Sequence, residues 1–336
     1  MAAHLGPRTG EDSVKLIRPA SVAGGAGVSV VAPAASAKVE LATRGMDRLR
    51  ELGFQPRLGS HAFEKGPLYF AGTAAQRLED LHAGFANPEM GFVACLRGGY
   101  GSNYLLDGLD LDLIRSHPKP LFGYSDLTGL QLHLLDQIGL PAFHGPMVAA
   151  DFAHEKGVHL ASFRAALGGE PYSLGPAEGL RALKTGPALR PVRGILYGGC
   201  LSILVSLLGT PFEPQTEGKL LFLEDVNAKP YQIDRMLWQL RQAGKLDGVR
   251  GIVFGEMLNC ASPGASAKLL DEVILRVFED FDGPIAIGLR SGHVSRENVT
   301  LTFGVEAELR IDEEATLELI EPAVIKTGTQ GLGNRD

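Results

Sequence analysis

Short apolar runs rich in β-branched residues, separated by helical patterns, are the feature that most restricts how this chain can fold. In the first half they are "VSVVAP" (28–33), "GFVACL" (91–96) and "KPLFGY" (119–124), and a helix-like stretch ending in Gly53 follows the first run. Strands that alternate with helices pair in parallel, because each crossover brings the chain back to the same end of the sheet. The pattern predicts an α/β protein whose mainly parallel sheet is covered by helices on both faces.

A stretch rich in glycine and proline divides this pattern into two parts, and no long period crosses it. Such composition favours a crossing between domains. We expect an N-terminal domain over 13–167, a linker over 168–192 and a C-terminal domain over 193–326. The polar ends, 1–12 and 327–336, are expected to fray. A chain of 336 residues is long enough for two domains with real cores.

The second half continues with apolar and alternating segments. We predict a helix over 199–208, then strands and helices in turn from "KLLFLED" (219–225) to "PIAIGL" (284–289). The segment 298–312 is predicted to form paired β-strands. Residues 194–212 lack charge over a membrane-spanning length, but their glycines and hydroxyls favour a buried helix. No membrane contact is therefore expected.

Charge and cysteine usage exclude several classes of protein. The chain has 32 Lys and Arg against 39 Asp and Glu, a formal net charge of −7, with both signs mixed along its length. Without a basic stripe, nucleic acid is not an expected partner. The three cysteines (Cys95, Cys200 and Cys260) lack CxxC spacing and lie in apolar sequence, which favours reduced core thiols over a reactive thiol. These features predict a soluble, cytoplasmic protein.

Ser125 in "LFGYSDLTGL" stands where an apolar run gives way to a helical pattern. A hydroxyl there can be a nucleophile at a strand-to-helix turn, or it can cap the helix. Thr128 and Gln131 have capping-box spacing, so Thr128 could cap this helix without Ser125. The turn differs from the G-x-S-x-G elbow because Leu127 occupies the second glycine position. The residues alone leave both roles open.

The loop "CLRGGYGSNYLL" (95–106) follows a predicted strand directly. Its adjacent glycines permit positive φ and expose backbone N–H groups, which suits stabilisation of a developing oxyanion. A dinucleotide fingerprint would need glycine where Tyr104 stands, so that interpretation is weak. An ordinary tight turn remains the other possibility.

Glu224 and Asp225 end the predicted strand "KLLFLED", at the edge where α/β proteins bind ligands. A solvated carboxylate at a strand end describes Asp225 better than Glu224. Among nine histidines, His293 follows a glycine in a loop between strands, and His144 follows a short strand as a second site candidate. No histidine pair has metal-ligand spacing and carboxylates do not cluster near them, so no metal site is expected.

Four stretches in this order, "CLRGGYGS", "FGYSDLT", "LFLEDV" with "PYQIDRMLWQL", and "SGH", resemble the LD-carboxypeptidase family of serine peptidases (S66 type), which includes microcin C immunity peptidases. The likeness covers most of the chain. It implies a Ser–Glu–His triad at Ser125, Glu224 and His293, with backbone N–H groups of Gly99 and Asp126 as the oxyanion hole. This assignment agrees with the physical roles of nucleophile, orienting acid and general base.

The resemblance also implies a Rossmann-like N-terminal domain carrying Ser125, a second α/β domain carrying the other two residues, and a site between them. The expected activity is hydrolysis of the amide to the terminal D-alanine of a muropeptide tetrapeptide in peptidoglycan recycling. We expect a small peptide substrate, no cofactor and a homodimer. Alternatives are cleavage of a peptidyl or aminoacyl nucleotide, as in microcin immunity, and a noncatalytic ligand-binding relative. An α/β-hydrolase is disfavoured because Glu224 and His293 lie beyond the linker.

Some positions depart from the family pattern. Cys200 stands where asparagine is common, an acid is usual near Asn227–Ala228, and proline is usual at Thr302. None is a triad position, so we expect the chemistry to be retained and the substrate preference or local packing to differ. Trp238 is the one tryptophan in the chain, on the edge of a helix stripe, which is slight support against nucleotide stacking.

Overall fold

A computed structural model of the chain describes residues 15–184, 190–261 and 268–326. The predicted frayed ends lie outside these residues. The strands are β1 (Gly27–Val31), β2 (Gln55–Leu58), β3 (Met90–Cys95), β4 (Leu121–Gly123), β5 (Ala142–His144), β6 (Tyr172–Leu174), β7 (Arg181–Lys184), β8 (Val192–Cys200), β9 (Lys219–Glu224), β10 (Gly251–Gly255), β11 (Ile285–Leu289), β12 (Leu301–Phe303), β13 (Glu306–Ile311) and β14 (Ala315–Leu319). The helices are α1 (Val39–Glu51), α2 (Ala74–Ala86), α3 (Leu111–Ser116), α4 (Thr128–Ile138), α5 (Leu160–Gly168), α6 (Leu201–Ser206), α7 (Pro230–Gln242) and α8 (Lys268–Val277).

The first sheet has six strands in the order β12-β5-β4-β3-β1-β2. Strands β1 to β5 pair in parallel, as the alternation of strands and helices predicts, and β12 adds to β5 in the antiparallel sense. Strands β1, β3 and β4 are buried on both sides because apolar clusters cover both faces of the sheet. The mixed α/β fold predicted for the chain is confirmed.

The second sheet has eight strands in the order β6-β14-β13-β8-β9-β10-β11-β7. Its centre, β8 to β11, is parallel, and the outer strands pair in the antiparallel sense. Strand β9 is buried along five of its six residues, since it has parallel neighbours on both sides and helices over its faces. Amphipathic α7 buries Ile233, Leu237 and Leu240.

Two local predictions in the second half are wrong. The chain over 192–200 is strand β8, and only Leu201–Ser206 is helical, so the helix expected over 199–208 is much shorter. A fully buried apolar run has no periodicity that separates a strand from a helix. The segment 298–312 does form β12 and β13, but these strands do not pair with each other. β12 joins the first sheet and β13 joins the second.

Strand β12 ties the two sheets together, although it belongs to the second half of the sequence. From β12, the ring of Phe303 lies 5.3 Å from His144 on β5 and 6.0 Å from Phe222 on β9, measured between centroids. The predicted linker also contributes to a sheet, because it contains β6 and β7, which both add to the second sheet. The domain limits set out above remain a prediction. Within the described residues no helix is long and apolar enough to span a membrane.

Candidate active site

Ser125 lies at the turn between β4 and α4, where it begins a short 3₁₀ turn over Ser125–Leu127. Its φ of 64° is a left-handed conformation that a non-glycine residue rarely adopts, and such strain is typical of nucleophiles on strand-to-helix turns. A Cβ placed on Gly98 would lie 3.2 Å from the Ser125 Oγ, so this loop passes close beside the hydroxyl. Within the described chain the Ser125 hydroxyl makes no hydrogen bond, and it faces a cleft.

The expected capping box at Thr128 and Gln131 is not formed. Thr128 is already helical, and its Oγ1 accepts a hydrogen bond from the backbone N–H of Cys200 at 3.1 Å. The Gln131 amide instead donates to backbone carbonyls of the sheet, those of Leu121, Gly123 and Phe143. The 3₁₀ turn leads straight into the helix, so the Ser125 side chain does not cap it either. The capping interpretation is therefore wrong for both residues.

His293 and Glu224 form a hydrogen-bonded pair at the carboxyl ends of the second sheet. The Nδ1–H of His293 donates to Glu224 Oε2 at 2.8 Å, and the His293 backbone N–H donates to the same oxygen at 3.1 Å. Because the carboxylate accepts at Nδ1, the lone pair of the imidazole lies on Nε2. The Glu224 side chain is fully buried, whereas that of His293 is 20% exposed.

The electrostatic surroundings of His293 raise its pKa above the usual value of 6.5. Burial alone would lower it, but the hydrogen bond and charge of Glu224, with smaller effects of Asp225 and Asp151, outweigh the burial. The protonated form that a general base must pass through is therefore stabilised in place.

A polar network not anticipated from the sequence holds the residue before His293. The side chain of Asn298 accepts from the backbone N–H of Gly292 at 3.0 Å and donates to its carbonyl at 3.1 Å. It also donates to Asp151 at 3.2 Å, and Asp151 accepts from the hydroxyl of Tyr124 as well. Burial raises the pKa of Asp151 to about 7. The network links the residue beside Ser125 to the loop that carries His293.

Gly292 itself shows why this loop is so close to the acid. Its φ is 91°, and a Cβ built on it would lie 2.6 Å from Glu224 Cδ. Only glycine therefore fits here without a shift of the carboxylate. In the sequence, the glycine of "SGH" was the signal that could have predicted this close contact between the loop and Glu224.

The predicted oxyanion residues lie on two segments that are bonded to each other. The Asp126 carboxylate accepts from the Ser102 backbone N–H at 2.8 Å, and the Ser102 hydroxyl donates to the Asp126 carbonyl at 2.6 Å. These bonds tie the glycine loop after β3 to the turn after β4. Gly99 has a φ of 101° and lines the cleft, and its amide donates to no other described residue.

The cleft that contains Ser125 and His293 has a volume of about 450 Å³. The charged and imidazole side chains among its described lining residues are Lys38, Arg97, His154 and His293, with no carboxylate. An anionic ligand would therefore meet a positive surface, although the whole chain carries −7. Sequence reasoning missed Arg97, which directly precedes the glycine pair.

His144 and Asp225 differ from expectation. His144 is fully buried behind Tyr124, and neither ring nitrogen has a hydrogen-bond partner among the described atoms. Burial, with the charge of His293, lowers its pKa to about 3, so it stays neutral.

Asp225 is 5% exposed and accepts from the Ser202 backbone N–H at 2.9 Å. It is not the solvated carboxylate that its place at a strand end predicts.

The departures from the family pattern fall in different places. Cys200 pairs in register with Glu224 at the ends of β8 and β9. Its Sγ lies in a group with ligand atoms of Glu224 and His293 that are all within 4.8 Å of one another. Since His293 Nδ1 is already bonded to Glu224, we interpret this group as a thiol beside a hydrogen-bonded pair. All three cysteines are buried and unpaired, as predicted.

The other departures are at Asn227, Ala228 and Thr302. Asn227 has a φ of 59°, and its side chain accepts from Asn259 at 3.2 Å. Ala228 is 8% exposed, and Thr302 is buried in β12 opposite Phe143. None of these residues is among the described residues that line the cleft.

Comparison with known proteins places these features in a family. Two family models match the sequence: the LD-carboxypeptidase N-terminal domain over 28–145 and the LD-carboxypeptidase C-terminal domain over 193–309. A Bacillus subtilis protein named "Probable murein peptide carboxypeptidase" is 37% identical over 308 residues, 89% of this chain and 93% of that protein. The murein tetrapeptide carboxypeptidase of Pseudomonas aeruginosa is 33% identical over 293 residues, 84% of this chain and 92% of that protein.

The crystal structure of an MccF-like protein from Bacillus anthracis is also similar, with a TM-score of 0.82 and 28% identity. That comparison covers 90% of this chain and 99% of the other. The sequence matches extend over both halves, and the fold agrees along nearly the whole chain. This chain therefore belongs to the LD-carboxypeptidase family of serine peptidases.

Proposed function

We propose that this chain is a serine carboxypeptidase that hydrolyses the amide between the L-centre of a diamino acid and the terminal D-alanine of muropeptide tetrapeptides. The observation that supports this proposal most directly is a strained serine that shares a cleft with a histidine whose Nδ1 is hydrogen-bonded to a buried glutamate. In this proposal Ser125, His293 and Glu224 act as nucleophile, base and orienting acid. The names of the relatives support the substrate class.

Acylation begins when Ser125 Oγ attacks the scissile carbonyl carbon and His293 Nε2 takes the hydroxyl proton. The carbonyl oxygen becomes an oxyanion, which the backbone N–H groups of Gly99 and Asp126 would stabilise. His293 then gives its proton to the amide nitrogen, the C–N bond breaks, and D-alanine leaves with a neutral amine. The peptide remains as an ester on Ser125.

Deacylation repeats these steps with water as the nucleophile. His293 takes a proton from water, hydroxide adds to the ester carbonyl, and the proton returns to Ser125 Oγ as the tripeptide leaves. Glu224 holds the imidazole in one tautomer throughout and stabilises the imidazolium that forms. Removal of terminal D-alanine would prepare the tripeptide for reuse, which is the role in peptidoglycan recycling that we propose.

Release of D-alanine from a muropeptide tetrapeptide, followed by mass, tests this function. Ser125→Ala is expected to abolish the release while the peptide still binds. Ser116→Ala removes an exposed hydroxyl on α3, whose hydrogen bond among the described residues is to the Asp112 carbonyl, and serves as the matched control. Release by the Ser125→Ala variant at the wild-type rate would refute the mechanism.

A second substrate class has one supporting observation, the similarity in fold to the MccF-like protein. The same triad could cleave a peptidyl or aminoacyl nucleotide. Trp238 is 50% exposed on α7, stacked against Arg241, and Tyr124 is the aromatic residue among the described residues that line the cleft. Incubation with an aminoacyl-adenylate analogue beside the tetrapeptide, with products followed by mass, separates the two substrates. Inactivity on both would favour a noncatalytic ligand-binding role.

A further inference from the structure

Arg97 is an exposed arginine at the mouth of the candidate active site that has no acidic partner in the described chain. Among the described residues, its one hydrogen bond is a long contact of 3.4 Å from Nη1 to the Ser36 carbonyl. Most arginines at a protein surface either extend into solvent or pair with a carboxylate. This one lines a cleft, so its donors are available to a ligand.

The guanidinium lies over the proposed oxyanion loop. A Cβ built on Gly99 would be 3.5 Å from Nη2 of Arg97 and 3.8 Å from its Nε. Burial raises the pKa of Tyr124 well above its usual value, and the charge of Arg97 opposes that rise. The cation is therefore within electrostatic range of the residue next to Ser125, as well as beside the Gly99 amide.

The chemistry of a carboxypeptidase requires an anion at this distance. Three covalent bonds join the scissile carbonyl carbon to the carboxylate carbon of the terminal residue, a reach of about 4 Å at most. When the carbonyl oxygen points to the Gly99 amide, the terminal carboxylate must lie a few ångströms away, on the leaving-group side. A guanidinium two residues before Gly99 matches that requirement, because its planar donors pair with a carboxylate through two hydrogen bonds.

We propose that Arg97 binds the terminal carboxylate of the substrate and so restricts this enzyme to removal of a single C-terminal residue. The inference rests on the proposed function, and it assigns a specificity role to a residue outside the triad. Lys38 supplies a second positive charge to the cleft without an acidic partner among the described residues. A lysine carries its charge on a single flexible ammonium, so it adds to the positive field without the two-point geometry.

Binding to a Ser125→Ala background tests this role separately from hydrolysis. The probes are the muropeptide tetrapeptide with a free D-alanine carboxylate and the same peptide ending in D-alaninamide, measured by calorimetry. We expect the acid to bind about 10- to 100-fold more tightly than the amide, as is typical for hydrogen bonds to a charged group. Adding Arg97→Met should remove that preference by weakening binding of the acid, with affinity for the amide changed less than about threefold.

Two further variants distinguish a direct contact from the general field. Arg97→Lys keeps the charge and should retain only part of the preference. Lys38→Met removes the same charge from the same cleft and should leave most of the preference intact. Equal binding of the two peptides, no binding of either, or an equal loss in Lys38→Met would overturn the role of Arg97. Hydrolysis of the acid by the wild type is scored independently, so failure of the proposed function would be seen as absence of D-alanine.

Discussion

Replacement of Asn298 by alanine is the most direct test of how the loop carrying His293 is held. Asn298 is fully buried, and its side chain makes three hydrogen bonds, two to the backbone of Gly292 and one to Asp151. Alanine removes all three and leaves a backbone N–H, a carbonyl and a carboxylate oxygen without these partners. The perturbation acts on the residue adjacent to the base and does not touch the proposed triad.

The magnitude follows from the number of groups left unsatisfied. Each buried polar group that loses its partner costs about 1–3 kcal/mol, so three such groups predict a loss of at least about 3 kcal/mol in the free energy of unfolding. Domains are typically stable by about 5–15 kcal/mol, so the variant should still fold. Because Gly292 then loses its fixed orientation, we expect kcat to fall more than KM rises.

Urea unfolding followed by circular dichroism measures the stability, and D-alanine release measures kcat and KM. Asn87→Ala is the matched control, since its side chain makes a single exposed hydrogen bond to the Glu89 backbone N–H. That control should cost less than about 1 kcal/mol. If Asn298→Ala were within about 1 kcal/mol of Asn87→Ala and kept wild-type kcat, the proposed clamp on the histidine loop would be wrong.

Three other changes give distinct readouts. Glu224→Gln should lower kcat about 10⁴-fold with little change in KM, because the imidazole loses the charge that fixes its tautomer. The rate of D-alanine release measures both constants. Since catalysis needs neutral His293, whose pKa lies above 6.5, kcat/KM should rise with pH through a midpoint above 6.5, and the midpoint should move lower in Glu224→Gln. Gly292→Ala puts a methyl 2.6 Å from Glu224 Cδ at a φ of 91° and should abolish activity, with the loss of the His293–Glu224 hydrogen bond seen in the imidazole NMR signals. The pKa of Asp151 is raised from 3.8 to about 7 on folding, so its contribution to stability is full below pH 4 and is lost as pH rises through 7. Asp151→Asn should therefore flatten the fall in unfolding free energy between pH 4 and 7, and an unchanged slope would contradict this assignment.

The alternation of strands and helices was sufficient to predict an α/β fold with parallel sheets. It also placed the carboxylates of Glu224 and Asp225 at the strand edge where α/β proteins bind ligands. Ser125 and His293 do line one cleft, and Glu224 and His293 are in direct contact. The types of element and the strand-end positions follow from the sequence because they are local properties, whereas a shared site for Ser125, Glu224 and His293 was implied only by the family resemblance.

Several conclusions needed the tertiary structure. The run over 192–200 became strand β8 because β9 and β13 pair with it, and the periodicity of its apolar residues does not distinguish a strand from a helix. Residues Asp151 and Asn298 lie 147 positions apart and have no shared motif, so their hydrogen bond was not predictable. The Thr128 hydroxyl does not cap its helix as expected, because it accepts a hydrogen bond from the backbone N–H of Cys200, on a strand of the other sheet.

Local sequence patterns were enough to identify the residue types at the strand ends, and the motifs were enough to identify the family that the chain resembles. Packing in three dimensions sets which strand ends meet, places Gly292 against the carboxylate of Glu224, and leaves Arg97 without an acidic partner among the described residues. The physical reason is the distance along the chain over which each kind of interaction acts. Backbone propensity acts over a few residues, whereas hydrogen bonds, burial and charge act between any groups that packing brings together, such as the pair 69 positions apart that orients His293.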